Sequence, residues 1–136
     1  MDDIIIMKLK NHKEYNKKIL FVLVTCKELK LDKNVMKKVI DEYKKYLDEN
    51  KNLSIIYDTR QLSSLNPRTA WEGASMICNL NDIARQNVIA SCVIMENRSI
   101  RSLFNTVSRV HPPVVPLKVV ENNQQAMEFV VEKMKN

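Results

Sequence analysis

From Leu53 to Trp71 the chain reads LSIIYDTRQLSSLNPRTAW. The apolar run Leu53, Ile55, Ile56 and Tyr57 ends on Asp58-Thr59-Arg60, a loop with two serines follows, and Asn66-Pro67 opens a helical pattern. Proline suits the first turn of a helix, where its missing N–H would have had no partner. The stretch is therefore a strand, a loop and a helix N-terminus in direct succession. Open α/β sheets place binding and regulatory sites at such points.

The pattern extends in both directions. Ile4 to Leu9 reads as a short edge strand, Lys10 to Lys18 as a turn, and Ile19 to Thr25 (ILFVLVT) as a strand covered on both faces. Asp32 or Asn34 can cap a helix to about Glu49, with Val35, Val39, Ile40, Tyr43, Tyr46 and Leu47 on its buried side. After the strand Leu53 to Thr59, one helix runs from Pro67 to about Arg85. Val88 to Met95 is another buried strand and Ser99 to Val110 a helix stopped by His111-Pro112-Pro113. Val114 to Val120 and Asn123 to Lys135 form the last strand and helix. The order β-β-α-β-α-β-α-β-α predicts an α/β fold with a mixed, mostly parallel sheet of about five strands and four helices.

Composition sets limits on function. At 136 residues, 45% apolar and 28% charged, the chain suits one domain over residues 1–136 with a buried core. The densest apolar run, Ile19 to Val24, is too short to span a bilayer, and Met1-Asp2-Asp3 lacks the basic start of a signal peptide. Three widely spaced cysteines, Cys26, Cys78 and Cys92, show no metal-ligand spacing. They read as inert thiols in a reducing, cytoplasmic compartment. The net charge of +6 is unevenly placed: thirteen of sixteen lysines lie at or before Lys51, and all six arginines lie between Arg60 and Arg109. Lysine on a solvated helix face is a solubility device, whereas arginine offers a planar fork for carboxylates and phosphates.

The segments SIIYDTR, PRTAWEGA, RSLFNTV and QQAMEFV, in this element order, resemble the STAS domain and its SpoIIAA-like relatives, small α/β domains first known as bacterial anti-sigma-factor antagonists. The resemblance covers roughly Ile4 to Val131, and the SpoIIAA-like branch is also compared with the CRAL-TRIO lipid-binding fold. It implies a regulatory module that binds another protein through the loop and helix start after the third strand. In the STAS family that loop carries a phosphorylatable serine or threonine, often in Asp-Ser-Ser-Gly. Here the place reads Asn66-Pro67-Arg68-Thr69, with Thr69 nearest by position and Ser63-Ser64 the serine pair of the loop. The Asp-Ser-Ser-Gly motif is missing.

The candidate binding residues are Asp58, Arg60, Ser63, Ser64, Arg68, Thr69, Arg98 and Arg101. In a parallel sheet the four arginines fall toward the carboxyl edge, where helix N–H groups favour an anion. The alternative is ordinary ion pairing of Arg60, Arg68 and Arg98 with Asp58, Glu72 and Glu96, and it is the simpler one. Asp58 has no partner at acid/base spacing, and Ser63 and Ser64 lack a G-x-S-x-G elbow. His12 and His111 read as turn or surface residues without a metal role. Trp71 could anchor a partner, but its spacing with Ala74 and Cys78 predicts a core position. Gly73, the one glycine, predicts close approach of another backbone.

A Gly-rich phosphate loop, a catalytic triad and a metal cluster are all missing, so a non-enzymatic binding module without a cofactor is expected. Its partner is expected to be another protein. A lipidic or anionic small molecule in an apolar pocket gated by Arg60, Arg68, Arg98 and Arg101 is the alternative. Non-specific nucleic-acid or anionic-membrane binding by the lysine-rich half comes third, since acidic residues interrupt its run. A homodimer covering open sheet edges is also compatible.

Overall fold

The structure is a computed structural model that describes residues 5–29 and 32–135. Its element order is β1 (Ile5–His12), β2 (Lys17–Val24), α1 (Lys33–Glu49), β3 (Leu53–Asp58), α2 (Pro67–Cys78), α3 (Asn81–Asn87), β4 (Val88–Ile94), α4 (Arg98–Val110), β5 (Leu117–Val120) and α5 (Asn123–Met134). The strands form one sheet in sequence order, β1 antiparallel to β2 and every later neighbour parallel. The mixed, mostly parallel five-stranded sheet is the one the sequence predicts.

That order dictates the layers. Each parallel crossover steps one strand in the same direction, and right-handed crossovers then place their helices on one face. The Leu20, Val22, Leu53 and Ile55 side chains of that face pack with Tyr43 and Leu47 of α1 and with Leu80 and Val88. Val24 and Val93 pack there with Leu62 and Ile100. The opposite face carries Ile19, Ile56, Cys92, Ile94 and Val120, covered by Ala126, Val130 and Met134 of α5. Strands buried on both faces read as continuous apolar runs, which is why β2, β3 and β4 were visible by composition alone.

Several boundaries differ from expectation. Ile4, the expected start of the first strand, lies outside the described residues. The first hairpin is longer than predicted: β1 runs to His12, β2 starts at Lys17, and Asn16 closes the turn at φ 51° with its N–H donated to the His12 carbonyl at 2.8 Å. Polar residues pair as well as apolar ones along an exposed ladder, so hydropathy did not mark its end. β5 begins at Leu117 rather than Val114, because Pro116 has no N–H to give a ladder. Asp32, not Asn34, caps α1, its side chain accepting from the Val35 N–H at 2.8 Å.

The helix count is five rather than four. The single helix expected from Pro67 to Arg85 breaks at Asn79-Leu80 into α2 and α3. The Asn79 and Leu80 N–H groups turn back to Met76 and Ile77 carbonyls in tight three-residue steps, and Leu80 drops into the core. The break frees α2 from the sheet. α2 packs mainly against α4 and α1 and buries none of its residues fully.

Two expectations fail for that reason. Trp71 is not core but 44% exposed, and Ile77 is 42% exposed. Gly73 meets no close backbone, since a Cβ built there has no atom within 4 Å. The space below α2 is a cavity.

Candidate functional site

The loop from Thr59 to Asn66 is fixed both by hydrogen bonds to backbone carbonyls and by a buried side chain. The Thr59 N–H and hydroxyl both donate to the Ile94 carbonyl, at 3.1 and 2.7 Å. Leu62 is buried and anchors the loop. The Ser63 and Ser64 N–H groups both donate to the Lys27 carbonyl, at 2.8 and 3.0 Å, and the Ser63 hydroxyl reaches the same oxygen at 3.2 Å. From the other side the Asn97 amide donates to the Ser63 carbonyl at 3.1 Å, while its oxygen caps α4 by accepting from Ser99 and Ile100. Ser63 and Ser64 are thus exposed residues of a tethered loop.

The four arginines do not converge on one anion. Arg60 closes back on Asp58, with Nη2 2.7 Å from Oδ2 and Nε 3.0 Å from Oδ1, and its N–H donates to the same carboxylate at 3.1 Å. These hydrogen bonds hold the Asp58 carboxyl below the ordinary carboxylate range and raise the guanidinium in return, with Glu96 adding to its field. Arg68 is exposed and pairs with Glu72 one turn on, Nε to Oε1 3.0 Å. Arg98 opens α4, is exposed, and forms no ion pair among the described residues. Arg101 lines an open, mixed-charge groove between β5 and α5, beside Lys118, Glu121, Glu128 and Phe129. The simple pairings expected of Arg60 and Arg68 are therefore present, and the one expected of Arg98 is not.

Thr69 points elsewhere. It is half-buried and lines an apolar cavity of about 380 Å³ between the sheet and the roof formed by α1, α2 and α4. Strand residues Met7, Val22 and Val93 form the floor, and Gly73 and Ala74 lie on the α2 side. Ile77, Pro112 and Pro113 are its exposed rim. Among the described lining residues none is Asp, Glu, Lys or Arg. Its polar groups include the Tyr43 and Tyr57 hydroxyls, 2.8 Å apart and bonded to each other. Burial raises both phenols, Tyr57 well above the ordinary range with Tyr43 adding to the effect, so the pair stays neutral.

Near the rim lies a grouping that sequence spacing did not reveal. Cys78 ends α2 and His111 caps α4, and the fold brings Sγ to 3.6 Å from Nδ1. On the far side of the ring Nε2 lies 3.3 Å from the Ser75 hydroxyl. The Trp71 ring meets the imidazole edge-on, centroids 4.9 Å apart. Cys78 is thus half-buried beside a base rather than packed inertly, and His111 does pair with a cysteine. The 33 residues between them gave no local signal; the contact forms where the C-terminal ends of α2 and α4 come together. Cys92 is fully buried, as expected, and burial raises its thiol and that of half-buried Cys26. Among the described residues no three His, Cys, Asp or Glu side chains are grouped to hold a metal, and no helix is long and apolar enough to cross a membrane.

Comparison with known proteins places the architecture. The fold is similar to that of an uncharacterized protein of the DUF3478 family from Shewanella loihica PV-4, whose crystal structure is described as SpoIIAA-like. The TM-score is 0.65 at 11% identity, with 93% of each chain covered. At that identity the likeness speaks for the fold alone, and it is the SpoIIAA-like fold expected from the sequence. No curated protein matches the chain. The family model described as a domain of unknown function, DUF7793, matches residues 13–133, so the chain belongs to that family.

Proposed function

We propose that this chain is a non-enzymatic, STAS-like binding module whose ligand is a small, uncharged apolar molecule held beneath α2. The carrying observation is the cavity of about 380 Å³ with no charged residue among its described lining. Protein interiors are normally packed to crystal-like density, and a void forfeits the dispersion contacts of its walls. An apolar cavity of roughly 150 Å³ suffices to take a benzene-sized ligand. This one falls in the range of small-molecule pockets, about 300–1,000 Å³. The arginines stand outside its lining, which favours a neutral ligand over an anionic one. Free thiols fit a reducing, cytoplasmic setting for the module.

A second reading has its own observation. The loop and α2 also carry the outward features, exposed Trp71 and the Arg68–Glu72 pair, that suit recognition of another protein. Because α2 is at once cavity roof and outer surface, a ligand beneath it would alter what a protein partner meets. A pull-down that loses its partner on Arg68→Ala or Trp71→Ala supports this reading, and an unchanged partner list opposes it.

The primary reading is tested by titrating the neutral dye N-phenyl-1-naphthylamine. Saturable fluorescence enhancement at one dye per chain is expected, lost in Gly73→Leu, whose side chain would occupy the cavity, with far-UV circular dichroism unchanged. Equal enhancement in both proteins would sink it.

A further inference from the structure

The apolar cavity has one chemically active corner. Cys78 and His111 both line it, half-buried, next to the exposed rim of Ile77, Pro112 and Pro113. The thiol sulfur is 3.6 Å from Nδ1, and Ser75, one turn before Cys78 on α2, holds Nε2 at 3.3 Å. The hydrogen bond at one imidazole nitrogen decides what the other can do. With Nε2–H donated to the Ser75 hydroxyl, Nδ1 is left to accept the thiol proton. The edge-on Trp71 ring, centroids 4.9 Å apart, restricts rotation of the imidazole.

The pair sits where two helices end. Cys78 is the last residue of α2 and His111 the C-cap of α4, so two helix C-termini meet here. There Nδ1, 3.6 Å from the sulfur, can take the thiol proton as a new S–C bond forms, which is general-base assistance of a nucleophile.

We propose that Cys78, with His111 as base and Ser75 as positioning residue, forms a covalent adduct with apolar α,β-unsaturated carbonyl compounds that enter the cavity. The sulfur lone pair attacks the β-carbon and the S–C bond forms. The C=C π pair moves onto the α-carbon as an enolate. The thiol proton passes to His111 Nδ1 and from there to the α-carbon, so the step balances without a second reactant. Two features select this class. A soft, polarizable sulfur matches a soft carbon electrophile, and an aldehyde or ketone brings no charge into a lining that holds no counter-charge. The adduct is capture without turnover, so it deepens the proposed function and rests on that reading.

The test is alkylation of the intact protein by trans-2-nonenal and, in parallel, by small, water-soluble acrylamide, with each cysteine followed by peptide mass spectrometry. Half-buried Cys26 is the internal comparator. Nonenal is expected to modify Cys78 at least about tenfold faster than Cys26, a preference acrylamide does not show. His111→Gln is expected to slow Cys78 by about 10²-fold, the usual worth of a general base. Ser75→Ala, which changes only one hydroxyl, slows Cys78 by less, and Ser75→Thr, which keeps a hydroxyl beside Nε2, restores the rate.

A Cys78 no faster than Cys26 overturns the proposal, as does a folded His111→Gln protein with the original rate. If the neutral dye still binds in that case, the function proposed above stands and the covalent step alone falls. If acrylamide shows the same Cys78 preference as nonenal, the selectivity owes nothing to the cavity and the proposal falls, while the dye titration still decides the apolar-ligand reading.

Discussion

Gly73→Ala separates two opposite accounts of α2. If a neighbouring backbone approached Gly73, as the sequence suggests, a methyl group would force that neighbour away. Overpacking of this kind costs about 1–3 kcal/mol. In the structure the added Cβ meets nothing within 4 Å, and Gly73 lies inside a helix with no positive φ. Only the backbone term then remains: alanine loses less conformational freedom on folding than glycine, worth about 0.5–1 kcal/mol in a helix interior. Divided by an unfolding entropy of about 2.1 cal/mol/K per residue, that is a rise in Tm of roughly 2–4 °C for a chain of this length. The measurement is thermal and urea unfolding of both proteins by circular dichroism at 222 nm, with the urea m-value held as a control. A loss of stability of 1 kcal/mol or more, in proteins with equal m-values, would refute the open cavity beneath α2.

Three further outcomes follow from single contacts. Trp71→Ala is expected to cost less than about 1.5 kcal/mol in urea unfolding, against the 3–5 of a core aromatic, because the ring is 44% exposed. Tyr43→Phe leaves the buried Tyr57 hydroxyl without its 2.8 Å partner and should cost about 1–2 kcal/mol. Adding Tyr57→Phe should recover most of that loss, and additive losses in the double-mutant cycle would contradict the bond. Asp58→Asn removes the paired charge facing Arg60 at a half-exposed site, a loss of about 1 kcal/mol at most. The Asp58 pKa is lowered by folding, so its contribution is full above the unfolded carboxylate value near 4. It fades as pH falls through the lower folded value. The difference between wild type and Asp58→Asn should therefore shrink toward zero in acid, and a gap that persists to pH 2 would count against the ion pair.

The strands were legible because a sheet buried on both faces needs continuous apolar runs, and β2, β3 and β4 supply them. Two helix starts were legible too, since Asp32 and Asn66 each carry an oxygen that takes a first-turn N–H. The break at Asn79-Leu80 was not. The apolar spacing of Ala74, Ile77, Cys78 and Ile83 runs across it in phase, and only Asn79 and Asn81 hinted at a turn. The spacing of Trp71 with Ala74 and Cys78, and a lone glycine inside a helix, suggested packed positions, whereas α2, separated at that joint, leaves Trp71 exposed and Gly73 without a close neighbour. The candidate loop was readable as a strand end followed by a helix start. Its tethering to Lys27 and Asn97 was not, since it runs through backbone atoms distant in sequence. The cavity and the Cys78–His111 contact arise from where α2 and α4 come to rest, and residue spacing carries no record of that.

The central claim, a neutral apolar ligand beneath α2, is most directly tested by intermolecular NOEs to bound 1-decanol in methyl-labelled protein. The account predicts NOEs to Met7, Val22, Ile40 and Val93 of the cavity lining and none to Ile94 or Val130 on the α5 face. NOEs only at the α5 face, or saturating decanol without any NOE to the four lining residues, would contradict it.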